Sequence, residues 1–318
     1  MRVLITGLTG FVGRYLEEYL SSVPGVKIGG TIFARNFQEA KKSFPKNVSA
    51  FKCDLTDKKA TGIVVKNFKP DAVFHLAGIA STGNSWDEAE KVLQTNIMSQ
   101  LNILNALKEY SPKAKIIIIS SAQIYGSVKK KELPTTEFTK LRPTNPYAVS
   151  KITQESLGYQ YFNSFGIPAV ILRPSNHIGP RQEAFFAVAH FAKQIIDIEK
   201  GLKRPVIKVG NLESFRDFTD VRDIVRAYYL ALLKCKPGEI YNIGSGHAIK
   251  MKNILKKLLS LSKVKIEVKI DKNLLRPSDV PILEVDYSKF RKVTGWKPKI
   301  SLNETLMNIL EYWRSKIQ

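Results

Sequence analysis

The sequence predicts an α/β fold in which a doubly wound parallel sheet is joined to a smaller C-terminal α/β domain. Three observations lead to this class. Short apolar runs alternate with longer helical segments, a glycine-rich turn joins the first run to the first helix, and the alternation becomes less regular after Asn176. Such alternation is typical of βαβ units, which build a parallel sheet with helices on both faces.

The elements can be assigned in chain order. Runs rich in apolar, often branched side chains predict strands at 3–6, 27–34, 48–53, 72–76, 115–120 and 169–172. The segments between them predict helices at 11–23, 58–67, 87–109 and 147–165. Later, apolar and charged residues alternate over 264–270 and predict a half-buried strand. Apolar residues at helical spacing over 302–313 predict a core-facing helix.

Composition narrows the class of protein. Of the 318 residues, 44% are hydrophobic and 25% are charged, as in ordinary soluble enzymes. No window approaches the roughly 20 apolar residues of a membrane span. The first residues lead directly into a strand, so we expect no signal peptide. Cys53 and Cys235 have no Cys or His neighbours at metal spacing. We therefore expect a cytoplasmic protein without a metal ion or a membrane partner.

The formal net charge of +22 permits two interpretations. A basic protein can bind nucleic acid, but here the basic residues are scattered and no RNA-binding aromatic signature occurs. A lysine-rich, solvated surface explains the same charge. We therefore expect no nucleic-acid partner, and we expect the positive field to favour capture of an anionic small molecule such as a nucleotide sugar.

The glycine-rich turn has the sequence GLTGFVG and lies between the first strand and the first helix. Glycines let the backbone approach a pyrophosphate, and the helix start offers its free N–H groups. Three glycines also fit a plain strand-to-helix turn, but their place at the start of a βαβ series predicts a dinucleotide site, as in Rossmann folds. The residues expected to hold the cofactor here are Gly7, Thr9, Gly10, Phe11, Val12 and Gly13.

The end of the second strand bears on the choice of dinucleotide. An acid there would bind the adenosine ribose and repel a 2′-phosphate, but the chain has Arg35 and no acid. Because a guanidinium can pair with that phosphate, we expect NADP(H). NAD(H) is possible, with Arg35 then only a solvated loop residue. Asp54 and Leu55 are expected at the adenine edge; alternatively, Asp54 caps the helix that starts near Asp57.

Tyr147 and Lys151 form a YxxxK pair, so they share one face of a predicted helix. A free phenol has a pKa of about 10. A cation at ~4 Å in a medium of effective dielectric ~20 would supply the roughly 4 kcal/mol that lowers this pKa to neutrality. We therefore expect Lys151 to tune Tyr147 as a proton donor; the alternative is an exposed pair without a role.

The stretch SSAQIYG at 120–126 follows the fifth strand and carries hydroxyls, an amide and a phenol but no carboxylate. Open α/β sheets hold ligands at the carboxyl ends of their strands. We expect Ser121 to donate a hydrogen bond to a substrate carbonyl that Tyr147 protonates, and Ser120 only to satisfy backbone groups. The Gln123 amide cannot act as a general base near neutral pH, so the stretch favours hydride transfer over loss of water.

Together these motifs resemble the extended short-chain dehydrogenase/reductase family, whose members act on nucleotide sugars. The matching segments span essentially the whole chain and fall in family order: GLTGFVG, HLAG at 75–78, Asn96, SSAQIYG, YAVSK and RPSNHIGP at 173–180. The resemblance implies a catalytic triad of Ser121, Tyr147 and Lys151. It adds cofactor contacts from Leu76, Ala77 and Gly78, and from Lys151 to the nicotinamide ribose. Family dehydratases carry an acid just after the serine, where this chain has Ala122 and Gln123.

The resemblance also assigns the substrate side. It places Asn176 against the phosphate or sugar, and Arg216 and Arg276 on the diphosphate, whose oxygens suit a planar guanidinium. Alternatively, Arg216 only pairs with Asp217 or Asp220, and Arg276 only pairs with Asp279. Weaker substrate contacts are expected from Ser85, Gln123 and Lys193. His177 is expected to be a hydrogen-bonded pocket residue rather than a proton donor.

Within the family, the segments at 210–232, 275–281 and 294–298 resemble members that reduce GDP-linked 4-keto-6-deoxy sugars. This implies NADPH-dependent reduction of GDP-4-keto-6-deoxy-D-mannose to GDP-D-rhamnose, with the stereochemistry at C4 and the nucleotide base left open. An NAD-dependent 4-epimerase with the same triad is the alternative.

The resemblance extends to domains and assembly. We expect residues 1–173, with 218–244 returning to them, to bind the dinucleotide, and 174–217 and 245–318 to form the substrate domain. Family members usually form homodimers through the helices that correspond to 87–109 and 147–165.

Overall fold

The computed structural model describes residues 1–80, 85–275 and 279–317. The strands over these residues are β1 (Arg2–Thr6), β2 (Lys27–Ile32), β3 (Ser49–Lys52), β4 (Ala72–His75), β5 (Lys115–Ile119), β6 (Ala169–Pro174), β7 (Asn176–Ile178), β8 (Val206–Val209), β9 (Phe215–Asp220), β10 (Ile240–Ile243), β11 (Ala248–Lys250), β12 (Glu267–Ile270) and β13 (Ile282–Leu283). The helices are α1 (Phe11–Ser21), α2 (Phe37–Lys42), α3 (Lys58–Phe68), α4 (Ala89–Tyr110), α5 (Pro146–Phe165), α6 (Ala187–Glu199), α7 (Val221–Lys234), α8 (Met251–Ser260), α9 (Ser288–Thr294) and α10 (Leu302–Lys316). Short 3₁₀ helices cover Ala122–Tyr125, Lys130–Glu132 and Lys272–Leu274.

The main sheet has the strand order β10-β6-β5-β4-β1-β2-β3 in the described part of the chain, and each neighbouring pair is parallel. The chain builds outward from β1 through β2 to β3, then returns to the other side of β1 with β4. The topological switch therefore falls between β1 and β4, whose carboxyl ends open a crevice. This topology confirms the predicted doubly wound α/β class.

Helices cover both faces of this sheet. On one face α1 and α7 bury Leu16, Leu20 and Val225 against the strands. On the other face α3, α4 and α5 contribute side chains such as Val65 and Leu107. A strand covered on both faces needs apolar residues at successive positions, which explains the run KIIII in β5.

A second core lies under α6, α8 and α10 and includes Ile195, Leu258 and Leu306. Around it, β9 pairs with β7, β11 and β13, and β8 pairs with β12. After β9 the chain runs through α7 to β10, which pairs with β6 at the edge of the main sheet. The domain boundaries proposed from the sequence remain a prediction.

The helix and the strand that periodicity predicted near the C-terminus differ in their outcome. The helix expected over 302–313 is confirmed, since α10 buries Leu306, Ile309 and Leu310 completely. The half-buried strand expected over 264–270 is wrong in part. Only Glu267–Ile270 is a strand, and all four of its residues are exposed. This strand pairs only with β8 in the described chain, so no layer covers its apolar side chains.

Candidate active site

The glycine-rich turn is shaped to hold a pyrophosphate. Gly7 has φ +71°, and a Cβ on Gly13 would lie 2.3 Å from the Gly7 carbonyl oxygen. Side chains at either position would therefore distort the turn. Gly10 caps α1 without a side-chain hydrogen bond, so the first N–H groups of the helix remain available to an anion. The turn thus fits the dinucleotide expected from the sequence.

At the adenosine end, Arg35 is exposed and forms no ion pair with any acid among the described residues. Its guanidinium can therefore meet a 2′-phosphate without first breaking an ion pair. The proposed cap role of Asp54 is wrong, because Asp57 caps α3 by accepting from the backbone N–H groups of Lys59 and Ala60. Asp54 instead accepts from the N–H and the hydroxyl of Thr56.

A buried threonine holds the turn that follows β4. The Thr6 hydroxyl oxygen accepts from the N–H groups of Leu76 and Ala77, both at 3.0 Å. Its own hydrogen is then left for Nδ1 of His75, 3.0 Å away, which puts the imidazole hydrogen on Nε2. Burial lowers the pKa of His75 to about 3, so the ring is neutral. Gly78 follows, and a Cβ at this position would lie only 2.8 Å from the Asn96 Oδ1.

The structure brings the three predicted triad residues together at the carboxyl end of β5. The Ser121 hydroxyl lies near enough to the Tyr147 phenol to act on its pKa. The Lys151 Nζ lies 5.6 Å from the centre of the Tyr147 ring. Tyr147 and Lys151 are each 8% exposed, so a ligand that reaches them leaves bulk water. Ser121 also accepts from the Gln123 N–H at 3.2 Å and so caps the 3₁₀ turn.

The charge state of the pair differs from the prediction. Burial raises the pKa of Tyr147 to about 12, although the nearby Ser121 hydroxyl acts in the opposite sense. Burial also lowers the pKa of Lys151 to about 8. The expectation that Lys151 brings the phenol near neutrality is therefore wrong for this structure. The ammonium instead donates to the Ile119 carbonyl and to Gln154, both at 2.8 Å, and loss of solvent dominates the pKa of the phenol.

The helix that carries this pair is fixed at its start and in its middle. Asn145 caps α5 by accepting from the Ala148 N–H, and Pro146 occupies its first position. Glu155 forms a buried ion pair with Arg173 on β6, with its two oxygens at 2.8 and 2.7 Å from the guanidinium nitrogens. These contacts hold the catalytic face of α5 over the ends of β5 and β6.

On the substrate side, Arg216 is buried and paired. Arg216 donates to the Phe215 and Val280 carbonyls, and a short hydrogen bond joins it to Asp279. The pairing alternative therefore holds, but with Asp279 rather than with Asp217 or Asp220. Arg276 lies outside the described residues.

Three weaker substrate contacts show different surroundings. Lys193 forms a two-pronged ion pair with Asp197, at 3.0 and 2.9 Å, so a phosphate would compete with that acid. Ser85 is fully buried. Asn176, at the start of β7, has a buried Oδ1 without a partner among the described residues. A buried acceptor of this kind suits a hydroxyl donated by a ligand.

The remaining predictions concern Ser120, Gln123 and His177. The Ser120 hydroxyl is buried without a partner in the described chain, so the expectation that it satisfies backbone groups is wrong. Gln123 is partly exposed beside the completely buried Ala122, and neither supplies a carboxylate. His177 donates its Nδ1–H to the Ser175 carbonyl at 3.2 Å and stacks on Phe11, as expected for a pocket residue.

Sequence reasoning missed several residues that shape the site. Gln154 bonds to the Lys151 ammonium, and its spacing of three positions on a helix was the available signal. Thr6 gave no local signal, because its partners are distant in the chain. Asp279 was expected beside Arg276 and not beside Arg216. Among the described residues, no group of metal-ligating side chains lies together, and no helix is long and apolar enough to cross a membrane.

Comparisons with known proteins agree with this architecture. The family model for GDP-mannose 4,6 dehydratase matches residues 4–309. The chain is 33% identical to GDP-6-deoxy-D-mannose reductase from Pseudomonas aeruginosa, over 100% of this chain and 98% of the relative. A structure of RMD from Pseudomonas aeruginosa complexed with NADPH has a TM-score of 0.86 at 32% identity, covering 99% of both chains. A Thermus thermophilus UDP-glucose 4-epimerase complex with NAD has a TM-score of 0.87 at 29% identity, covering 100% of both chains.

Fold and site together define an enzyme with a nicotinamide-dinucleotide fold. The chain belongs to the GDP-mannose 4,6-dehydratase family, the nucleotide-sugar enzymes of the extended short-chain dehydrogenase/reductase class. This family includes dehydratases, epimerases and reductases.

Proposed function

We propose that the protein reduces the 4-keto group of GDP-4-keto-6-deoxy-D-mannose with NADPH to give GDP-D-rhamnose. The observation that carries this proposal is the site at the end of β5. Ser121, Tyr147 and Lys151 are assembled there, whereas Ala122 and Gln123 stand where family dehydratases carry an acid. Loss of water needs a general base at that place, and proton delivery to a ketone oxygen does not.

The glycine turn and the start of α1 would hold the pyrophosphate of the cofactor, and Arg35 would meet its 2′-phosphate. When bound, the reduced dinucleotide supplies the hydride that the ketone carbon accepts. The similarity to a reductase solved with NADPH supports NADP(H). The similarity to enzymes solved with NAD leaves NAD(H) as the alternative cofactor.

The pKa of Tyr147 suits this direction of reaction. A pKa raised to about 12 keeps the phenol protonated at neutral pH, so it can donate to the oxygen that gains negative charge. The Ser121 hydroxyl lies beside it and can donate to the same oxygen. The Lys151 ammonium, with its pKa at about 8, is charged at neutral pH and favours the phenolate that remains.

The substrate side supports an anionic ligand. Two backbone carbonyls and Asp279 accept hydrogen bonds from the Arg216 guanidinium and fix its position. A diphosphate could replace the carboxylate as its anionic partner. The unpartnered Asn176 Oδ1 can accept from a sugar hydroxyl. The formal charge of +22 draws a nucleotide diphosphate towards the protein as a whole.

The test is the oxidation of NADPH on addition of freshly made GDP-4-keto-6-deoxy-D-mannose, followed by NMR of the product. We expect loss of absorbance at the reduced-cofactor band and the spectrum of GDP-D-rhamnose. If the product were the talose epimer, the proposed reduction would stand and only its stereochemistry at C4 would change. Folded protein that oxidises no NADPH with this substrate would contradict the proposal.

A 4-epimerase is the second candidate, because the same triad serves that reaction and the chain resembles a UDP-glucose 4-epimerase. Epimerases of the family recycle a tightly held NAD. Purified protein with one NAD per chain, converting UDP-glucose without added reductant, would favour this candidate. The exposed Arg35 at the end of the second strand argues against it.

A further inference from the structure

Gln154 lies directly behind the catalytic lysine. It is completely buried, three positions after Lys151 on α5, and its Oε1 accepts from the Lys151 Nζ at 2.8 Å. The Ile119 carbonyl accepts a second hydrogen at 2.8 Å. An ammonium has three hydrogens, so these two acceptors leave one for a ligand and fix its direction.

The direction of the Gln154 amide follows from its neighbours. Its Nε2 donates to the Asn96 carbonyl at 2.8 Å on α4. With the amide reversed, Nε2 would face the ammonium and Oε1 would face that carbonyl, so both contacts would be repulsive. Gln100 donates its Nε2–H to the backbone carbonyl of Gln154 at 2.5 Å and so holds the helix at this position. The Lys151 ammonium and the Asn96 carbonyl therefore hold the side chain in one orientation.

A neutral acceptor has a consequence that a carboxylate would not have. Glu155 lies four positions after Lys151, the usual place for an ion-pair partner on a helix. Both of its oxygens are taken by Arg173 on β6. Lys151 therefore receives an uncharged partner, which orients the ammonium without neutralising its charge. Of the titratable groups around it, Glu155 on α5 acts to raise its pKa, while Tyr147 on α5 and His75 on β4 lie close by.

We propose that Gln154 is a positioning residue, which aims the Lys151 ammonium at the cofactor ribose and Tyr147 and keeps it charged. This inference rests on the proposed function for its effect on catalysis, but not for its effect on Lys151 itself. Gln154 touches no reacting atom, so its influence passes through the lysine.

The direct test measures Lys151 in the free protein. Trace labelling with acetic anhydride across pH 6–11, read by mass spectrometry, gives the pH midpoint at which Lys151 becomes reactive. Gln154→Met keeps the length but removes the acceptor, so we expect the midpoint to fall by about one pH unit. Gln154→Glu adds a negative charge at the same place, and we expect the midpoint to rise.

The matched control is Gln100→Met. It removes a buried amide from the same network, but that amide does not touch the ammonium. We expect this variant to lose stability and to keep the wild-type midpoint. A midpoint shift equal to that of Gln154→Met would show that loosened packing is the cause and would overturn the proposal.

Turnover gives the second measurement. In Gln154→Met we expect kcat to fall by about tenfold, with the KM for the keto sugar unchanged and the alkaline limb of the pH profile moved to lower pH. In Gln154→Glu we expect that limb to move to higher pH. Unchanged midpoints in both variants would overturn the proposal. Absence of turnover in every protein, wild type included, would contradict the proposed function, and the labelling midpoints would still decide the role of Gln154.

Discussion

A phenol that is protonated at neutral pH can give a proton but cannot readily take one, and Tyr147 is in this condition. Its surroundings are nearly water-free, and the nearby Ser121 hydroxyl does not restore an ordinary pKa. Tyr147 is thus in the protonated form that reduction of a ketone requires of a proton donor. In the reverse direction it would first have to lose its proton, which the nearby Lys151 charge would assist.

Replacement of Tyr147 by phenylalanine removes the proton donor and keeps the ring. We expect kcat to fall by about 10²–10⁴-fold, because positioned acid catalysis contributes that much. NADPH affinity, measured by quenching of the cofactor fluorescence, should stay near the wild-type value. Wild-type turnover in this variant would remove Tyr147 from the mechanism.

Arg35→Ala tests the choice of cofactor. Loss of a charge-assisted hydrogen bond to the 2′-phosphate should weaken NADPH by about tenfold or more and leave NADH affinity unchanged. The measurement is the ratio of the two dissociation constants. Lys42→Ala, at another exposed cation near by in the sequence, is the control and should leave the ratio as it is. If the ratio of the two dissociation constants were unchanged in Arg35→Ala, Arg35 would be only a solvated loop residue.

Local patterns predicted those residues whose role depends on near neighbours in the chain. The turn at Gly7 and Gly13 and the pair Tyr147 and Lys151 were found in this way, and both lie where the strand order placed them. The pKa of Tyr147 was not predictable, because burial is a property of the folded chain. Nor was the pairing of Arg216 with Asp279, since those residues are far apart in sequence.

At the level of elements, α5 is the part that carries the site, and a buried ion pair fixes it to the sheet. Arg173 of β6 meets Glu155 with side chains that are 4% and 7% exposed. The same guanidinium donates to the Tyr125 hydroxyl and the Glu137 carbonyl. The pair therefore joins α5, the 3₁₀ turn after β5 and the following loop in one network.

Glu155→Gln leaves the Arg173 charge buried without its counter-ion. We expect the free energy of unfolding to fall by about 3–5 kcal/mol, as for other broken buried pairs. Urea denaturation at pH 7.5 measures this change. Glu109→Gln, at the exposed end of α4, is the control and should change stability little. An equal loss in both variants would contradict a special role for the pair.

Elements differ in how far periodicity predicts them. α10 was predicted correctly because one apolar stripe meets a core. β12 also alternates apolar and charged residues, but no layer covers it in the described chain. Its alternation therefore predicted a half-buried strand where the structure has an exposed one. Assembly through α4 and α5 stays a prediction. Exposed apolar side chains on these helices, including Met98, Tyr159 and Phe165, are consistent with it.

At the scale of the whole molecule, the buried imidazole links stability to pH. The folded-state pKa of His75 is about 3, below the ordinary value of 6.5. The unfolded chain therefore binds a proton that the folded chain refuses between these values. The contribution of His75 is complete above pH 6.5 and is lost as the pH falls towards 3.

This predicts a loss of stability in acid, of which about 2–3 kcal/mol attributable to His75 falls between pH 7.5 and 4.5. Urea unfolding at several values between pH 7.5 and 4.5 measures the slope. His75→Asn can still accept from Thr6, so we expect a variant of lower stability at pH 7.5 but with a shallower slope. His247→Asn, at an exposed site, should keep the wild-type slope. Parallel curves for wild type and His75→Asn would refute the link.

The path of the chain through β9, α7 and β10 limits how the protein can be taken apart. Because β10 forms the last strand beside β6, a fragment that stops at residue 173 would expose a bare row of backbone donors and acceptors. Such a fragment should aggregate instead of behaving as a detachable nucleotide-binding module. Chimaeras that exchange sugar specificity between relatives must therefore keep residues 215–243 with the parent that supplies the first half.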